Sequence, residues 1–154
     1  MAKNALNLFL TDTFHTILKA EEIALSRQCP DLSIKEIHVI EAVCHMEETG
    51  DNRASSIAQQ LAVTAGTLTV SLNTLEKKGY IQREKDKNDK RIVRVTPTGK
   101  GITVNEIHRV FHDEMVQSVL SVLPANEVPV LIQALDSIST FFRGKYMISR
   151  EEKP

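Results

Sequence analysis

At 154 residues, with 42% hydrophobic and 25% charged side chains, the chain has the size and balance of one soluble globular domain with an ordinary core. No apolar run approaches the ~18 residues that would span a bilayer, and residues 1–10 lack the basic, apolar and cleavage regions of a secretory signal, so no membrane role and a cytoplasmic site are expected. Net charge is −1, and the two cysteines, Cys29 and Cys44, are expected as reduced thiols.

The expected fold is mainly α with a small β-wing. Helix one runs over residues 2–27, with Leu10, Phe14, Ile17, Leu18 and Leu25 on one face, and Pro30 ends the region. Ser33 caps helix two, Glu36 completes a capping box, and Gly50 closes the helix. Two short helices follow, at 53–61 and 65–78, joined by a turn at 63–66; Thr64 is the N-cap of the second and Gly79 its terminator. Leu68, Leu72 and Leu75 fall at i, i+4 and i+7, so one face of that helix is buried, and Thr67, Val70, Asn73, Thr74 and Lys77 lie opposite. Strands are expected at 80–84 and 91–95, where Val93 and Val95 alternate with Arg94 and Asn88-Asp89 supplies the turn. Pro97 suits the first position of helix five, 97–123. Helix six spans 125–147 with Pro129 in its first turns, and 149–154 form a polar, frayed tail.

Charge is unevenly spread. Residues 76–100 hold nine basic side chains against four acids, so this segment is +5 and the rest of the chain is −6. A local basic patch on an acidic body suits phosphate contact without general stickiness. The small polar face of the 65–78 helix can enter a major groove, and Gly66 leaves room for a phosphate near the helix start. The blander alternative is a solvated helix and hairpin; a rival of another class is a helical interaction module whose basic hairpin binds an acidic protein. Catalysis finds no support: there is no phosphate-cradling glycine loop, nucleophile elbow or helical His-Glu-x-x-His.

Helices one, five and six carry more apolar surface than the small central module can cover. Phe111, Met115, Val119, Val122, Leu131, Leu135, Ile138, Phe141 and Phe142 exceed one face, so a two-fold dimer is expected. Its two reading helices would fall in major grooves about 34 Å apart, on a palindromic duplex. His108 and His112 stand at i, i+4 spacing on helix five, which is ligand spacing for a metal; His38 and either Glu21 or Glu22 could complete the set. Interfacial or core histidines are the plainer reading.

The order of elements, with Leu75-Glu76-Lys77-Lys78-Gly79-Tyr80-Ile81 and the wing signature 86–99 (Asp-x-x-Asp-x-Arg, then Thr-x-x-Gly), resembles the MarR family of winged-helix regulators over nearly the whole chain. The resemblance implies a homodimeric repressor or activator whose DNA affinity a ligand tunes. On this view 1–154 is one protomer, with dimerisation helices at about 1–30 and 100–148 and a DNA-binding module at about 33–96. Candidate DNA contacts are Thr64, Gly66, Thr67, Thr69, Val70, Asn73, Lys77, Lys85, Lys87, Asn88, Lys90 and Arg91. Thr69 comes from the family pattern; Arg91 would enter the minor groove, oriented by Asp89.

Three blocks, Ser33 to His38, Gly66 to Asn73 and Phe111-His112, are similar to the Gram-positive fatty-acid-synthesis repressors of that family. That likeness implies a long acyl chain on acyl carrier protein as co-repressor, and Phe14, Ile17, Leu18, Ile34, Ile37 and Phe111 could line its apolar channel. Zinc-responsive members imply instead a zinc- or nickel-binding set of Glu22, His38, His108 and His112, Glu22 matching the sensor carboxylate. The chain lacks their histidine-rich tract, which weakens a regulatory role for the metal.

Overall fold

A computed structural model describes residues 1–147. In chain order the elements are α1 (Ala2–Gln28), α2 (Ile34–Glu48), α3 (Ala54–Gln60), α4 (Ala65–Lys77), β1 (Ile81–Lys85), β2 (Val93–Pro97), α5 (Gly99–Leu120) and α6 (Val128–Phe142), followed by a π-helical turn, Arg143–Met147. The fold is mainly helical with a two-stranded antiparallel wing. The chain divides into two compact units, Met1–Phe111 and His112–Pro154. The expected tail at 149–154 lies outside the described residues.

The core of the first unit is centred on α2. Ile37, Ile40 and Val43 of α2 are buried with Ile57 of α3, Leu68, Leu72 and Leu75 of α4, and Ile81 and Val95 of the wing. Each such aliphatic side chain contributes about 1.5–3 kcal/mol on removal from water. This cluster fixes α4 by its leucine stripe and so decides which face stays outward.

Local signals set the helix ends. Ser33 and Glu36 form the full capping box: the Ser33 amide donates to Glu36 Oε2 at 2.8 Å, and the Glu36 amide donates to Ser33 Oγ at 3.3 Å. Thr64 caps α4 by accepting from the Thr67 amide at 3.2 Å. Gly79, at φ +80°, ends α4 in a Schellman motif: the Tyr80 amide reaches the Leu75 carbonyl and the Gly79 amide the Glu76 carbonyl. The same pair of bonds ends α3, but Ala62 occupies the left-handed position at φ +53°. The turn therefore centres on Ala62 rather than on 63–66, and Ala65 and Gly66 already belong to α4. Because an L-residue costs about 1 kcal/mol there, Ala62→Gly should raise the thermal midpoint by a few degrees, as read from a melting curve.

The wing strands begin later than the expected 80–84 and 91–95. Ile81 pairs with Pro97 and Arg83 with Val95. Tyr80 is spent on closing α4, which delays β1 by one residue. Pro97 is thus the last residue of β2 rather than the first of α5. Thr98 makes the junction: its hydroxyl donates to the Gly79 carbonyl at 2.7 Å and accepts from the Gly101 amide at 3.3 Å. A third segment joins the sheet side of the wing, where the Val95 amide donates to the Asn52 carbonyl and Arg53 bridges Arg94.

In α1 only Glu21 and Leu25 are buried. Phe14 and Leu18, expected on a buried face, are exposed, as are Leu6, Leu8, Phe9 and Ile23, because the packed part of α1 is its C-terminal end. The second unit shows the same excess. α6 has no buried residue, and Val130, Ile132, Leu135, Phe141 and Phe142 are exposed. It starts three residues later than expected, with Pro129 in its first turn. Among the described residues no helix is long and apolar enough to cross a membrane.

Candidate nucleic-acid interface

The outward face of α4 and the wing are exposed together. Thr64, Gly66, Thr67, Thr69, Val70, Asn73 and Lys77 on the helix, and Lys85, Lys87, Asn88, Lys90 and Arg91 on the wing, are all exposed. Val70 is 67% exposed in the middle of this face, which folding alone does not reward for a β-branched apolar residue. Three of its hydroxyls turn back onto their own helix. Thr69 Oγ1 donates to the Ala65 carbonyl at 2.8 Å, Thr74 Oγ1 to the Val70 carbonyl, and Thr67 Oγ1 pairs with Thr64 Oγ1 at 2.9 Å. What the face offers is therefore a low, partly methyl-covered ridge with one carboxamide, Asn73. The space beside Gly66 is open.

The wing is held by Asp86, a residue that sequence reasoning left unassigned. Its Oδ1 accepts from the Asn88 and Asp89 amides at 2.8 and 3.0 Å, and its Oδ2 accepts from Arg94 Nε. The Arg94 hydrogen bond first, then the two amides, hold the Asp86 carboxyl down at about 2. Arg94 also donates to Asn52 Oδ1 at 2.8 Å, so it fastens the wing to the loop before α3. The signal was present in the Asp-x-x-Asp spacing, since an Asp two residues before a turn amide makes an Asx turn. At the tip, Asp89 grips Arg91 in a fork, Nε to Oδ1 at 3.0 Å and Nη2 to Oδ2 at 2.8 Å. The Arg91 side chain is 90% exposed, so its guanidinium is aimed without being buried.

Pairing divides the nine basic residues into two groups. Arg83 is bound to Glu76, Arg91 to Asp89, Arg94 to Asp86, Lys78 to Glu36 and Lys100 to Asp31. Among the described residues Lys77, Lys85, Lys87 and Lys90 have no ion pair, so they are the charges left for phosphates. Lys78 and Lys100 serve a junction instead. Lys78 Nζ donates to the Asp31 carbonyl and Glu36, Tyr80 Oη donates to the Asp31 carboxylate at 2.8 Å, and Lys100 Nζ lies 3.9 Å above the Tyr80 ring. The end of α4, the loop before α2 and the start of α5 are tied there.

A second cluster lies within the first unit. Glu21 Oε1 accepts from His108 Nε2 at 2.6 Å and from His38 Nε2 at 3.1 Å, and His108 Nδ1 is 3.6 Å from Glu41. Glu21 is 2% and His108 1% exposed. Burial would raise the Glu21 carboxyl, but the hydrogen bonds from His38 and His108 outweigh it and lower it. The carboxylate facing the histidines is thus Glu21, not Glu22. Glu22 points outward, where it pairs with Lys19 at 2.8 Å. His112, one turn beyond His108 on α5, belongs to the second unit. Of the residues expected to line an acyl channel, Ile37 is in the core and Ile34 packs on it, Ile17 and Phe111 are half-buried, and Phe14 and Leu18 are exposed. Cys29 and Cys44 are free and buried; burial first, then nearby acids, push the Cys44 thiol up to about 11, which opposes a reactive thiolate.

Comparison with known proteins agrees with this geometry. The MarR family model matches residues 39–93. The HTH-type transcriptional regulator SarZ of Staphylococcus haemolyticus is 30% identical over 114 residues, 74% of this chain and 74% of that protein. Among solved structures, Streptococcus pneumoniae FabT in complex with DNA superposes with a TM-score of 0.83 and 34% identity, covering 92% of this chain and 98% of that one. The S. aureus MepR–DNA complex gives 0.70 and 25%, covering 88% and 96%.

Proposed function

We propose, from the premise that the chain belongs to the MarR family of DNA-binding transcriptional regulators, that it is a homodimeric, sequence-specific repressor which lays α4 in the major groove and the Arg91 tip in the minor groove of a palindromic duplex. The observation that carries the reading is the pinned wing beside an exposed, leucine-backed helix face: Asp86 fixes the loop and Asp89 aims Arg91 outward. The exposed apolar rows of α1 and α6 support self-association, because surface of that kind is buried in stable dimers. Thr67, Thr69 and Val70 present methyl groups suited to thymine, Asn73 presents its amide, and Lys77, Lys85, Lys87 and Lys90 meet phosphates.

DNA titration at several salt concentrations tests this. Affinity should fall steeply with salt, each neutralised phosphate adding about 0.9 to the log–log slope. Arg91→Ala should weaken binding about ten- to a hundredfold, while Lys85→Ala and Lys87→Ala weaken all sequences alike and flatten the slope. An Arg91→Ala protein of unchanged affinity would refute the wing assignment.

The regulated process is fatty-acid synthesis, with long-chain acyl carrier protein raising DNA affinity. Support comes from the 34% identity to the S. pneumoniae FabT chain over nearly its full length and from the three blocks that resemble fatty-acid repressors. A tenfold rise in affinity needs only ~1.4 kcal/mol of differential binding. Separate titrations with acylated carrier protein, unacylated carrier protein and zinc distinguish this from a metal-responsive repressor; a zinc effect with none from acyl carrier protein sinks it.

The convergence of Glu21, His38 and His108 favours a second ligand, a divalent ion such as zinc or nickel, with His112 kept as the fourth expected ligand. Two imidazole nitrogens and a carboxylate oxygen are a suitable donor set. Elemental analysis of tag-free protein should find about one ion per chain, lost in His108→Ala. Metal-free native protein would leave the cluster as a purely structural hydrogen-bonded triad.

A further inference from the structure

Asn73, the one carboxamide on the reading face of α4, is not free to turn. Arg83 Nη2 lies 2.7 Å from its Oδ1. A guanidinium nitrogen only donates, so the Asn73 atom facing it must be the carbonyl oxygen, which fixes which end of the amide is which. Arg83 is itself locked. Its Nε and Nη2 reach Glu76 Oε2 at 3.1 and 2.7 Å, and its backbone amide reaches Glu76 Oε1 at 2.9 Å. Glu76 is on α4, one turn after Asn73, and Arg83 is at the centre of β1. Helix, strand and carboxamide therefore form one chain of charge-assisted hydrogen bonds ending at Asn73.

The geometry points to Arg83 as a specificity-determining residue that makes Asn73 a hydrogen-bond donor toward DNA. An unrestrained asparagine offers both ends of its amide and so selects adenine, giving to N7 and taking from N6. Oδ1 keeps a second lone pair, but its bond to Arg83 turns that arm of the planar amide toward the strand, so the Nδ2 hydrogens on the opposite arm are the end turned away from Arg83 and offered to a base. Their partners are acceptors on the major-groove edge: O6 or N7 of guanine, O4 of thymine, N7 of adenine. Cytosine, whose N4 presents hydrogens, is rejected, and adenine loses its advantage over guanine. Arg83 thus acts on base choice without touching a base. This inference rests on the placement of α4 in the major groove.

The test uses the full-length protein and selection of preferred duplexes from a random pool, with relative affinities then measured for all four bases at each half-site position. Asn73→Asp keeps the pair with Arg83 but turns the outward atom from donor to acceptor. Its added charge should weaken every duplex alike, yet at one position per half-site the preference should move to cytosine by about tenfold or more, with the other positions unchanged. Arg83→Ala should shift that same position toward adenine, since the freed Oδ1 can accept from N6. If Asn73→Asp and wild type rank the bases identically while both bind DNA, the inference is overturned. If the wild type enriches no duplex at low salt, the groove placement fails, and the inference falls with it.

Discussion

Gly101→Ala is expected to destabilise the protein by about 3 kcal/mol, at the upper end of the usual cost of overpacking, and to lower the thermal midpoint by roughly 10 °C. A Cβ at position 101 would stand 2.3 Å from the Tyr80 carbonyl oxygen and 3.5 Å from Pro97 Cβ. The first of these is backbone, fixed by the Schellman closure of α4 and by the Thr98 amide, which donates to that same Tyr80 carbonyl at 3.0 Å. It cannot swing aside as a side chain would. Relief requires the first turn of α5 to lift from the root of the wing, and the Thr98 contacts to Gly79 and Gly101 would stretch with it. The control is Gly99→Ala, two residues earlier, where an added Cβ meets open space. It should leave the midpoint nearly unchanged or raise it slightly through helix propensity. Thermal melts of the two variants side by side decide the matter; equal midpoints would mean that α5 does not seat on Tyr80 as described.

The same residue shows how far the sequence could be read. Thr-x-x-Gly was visible as a motif ending at Gly99, yet the glycine that packing requires is Gly101, since close approach to another backbone leaves no periodic trace. Signals that act within a few residues were legible: the Ser33–Glu36 capping box, the Thr64 cap, the Gly79 terminator and the leucine stripe of α4 all depend on neighbours along the chain. Signals that need a partner far away were not. Arg94 reads as an outward charge by alternation, but it is spent on Asp86 and on Asn52, which lies 42 residues earlier. Arg83, one of the nine basic side chains of the 76–100 patch, is likewise spent on Glu76, seven residues earlier but across the turn from helix to strand. Spacing on α1 could not choose between Glu21 and Glu22, adjacent residues 100° apart on a helix; packing against α2 and α5 makes the choice. The outer face of α4 was legible because burial of its other face leaves only one set of residues outward.

Glu21→Ala is expected to cost about 3–5 kcal/mol, the loss seen when one partner of a buried charged pair is removed. The Glu21 carboxylate is enclosed and takes hydrogen bonds from two imidazoles, and His108, which is as deeply buried, has its Nε2 committed to it at 2.6 Å. Removing the carboxylate leaves that nitrogen desolvated with its acceptor gone and opens space at the packing of α1 on α2. Glu21→Gln, which keeps a carbonyl oxygen in place, should recover part of the loss. His38→Ala should cost far less, because its side chain is 39% exposed and water replaces the bond. Because the Glu21 carboxyl is held below its ordinary 4.5, the stability it adds is present above that value and fades as the pH falls through its lowered one, so the gap between wild type and Glu21→Ala should narrow in acid. Chemical denaturation of the three variants at neutral and acidic pH measures this. An order in which His38→Ala equals or exceeds Glu21→Ala would mean that the carboxylate is not what anchors α1 to the module that carries the reading helix.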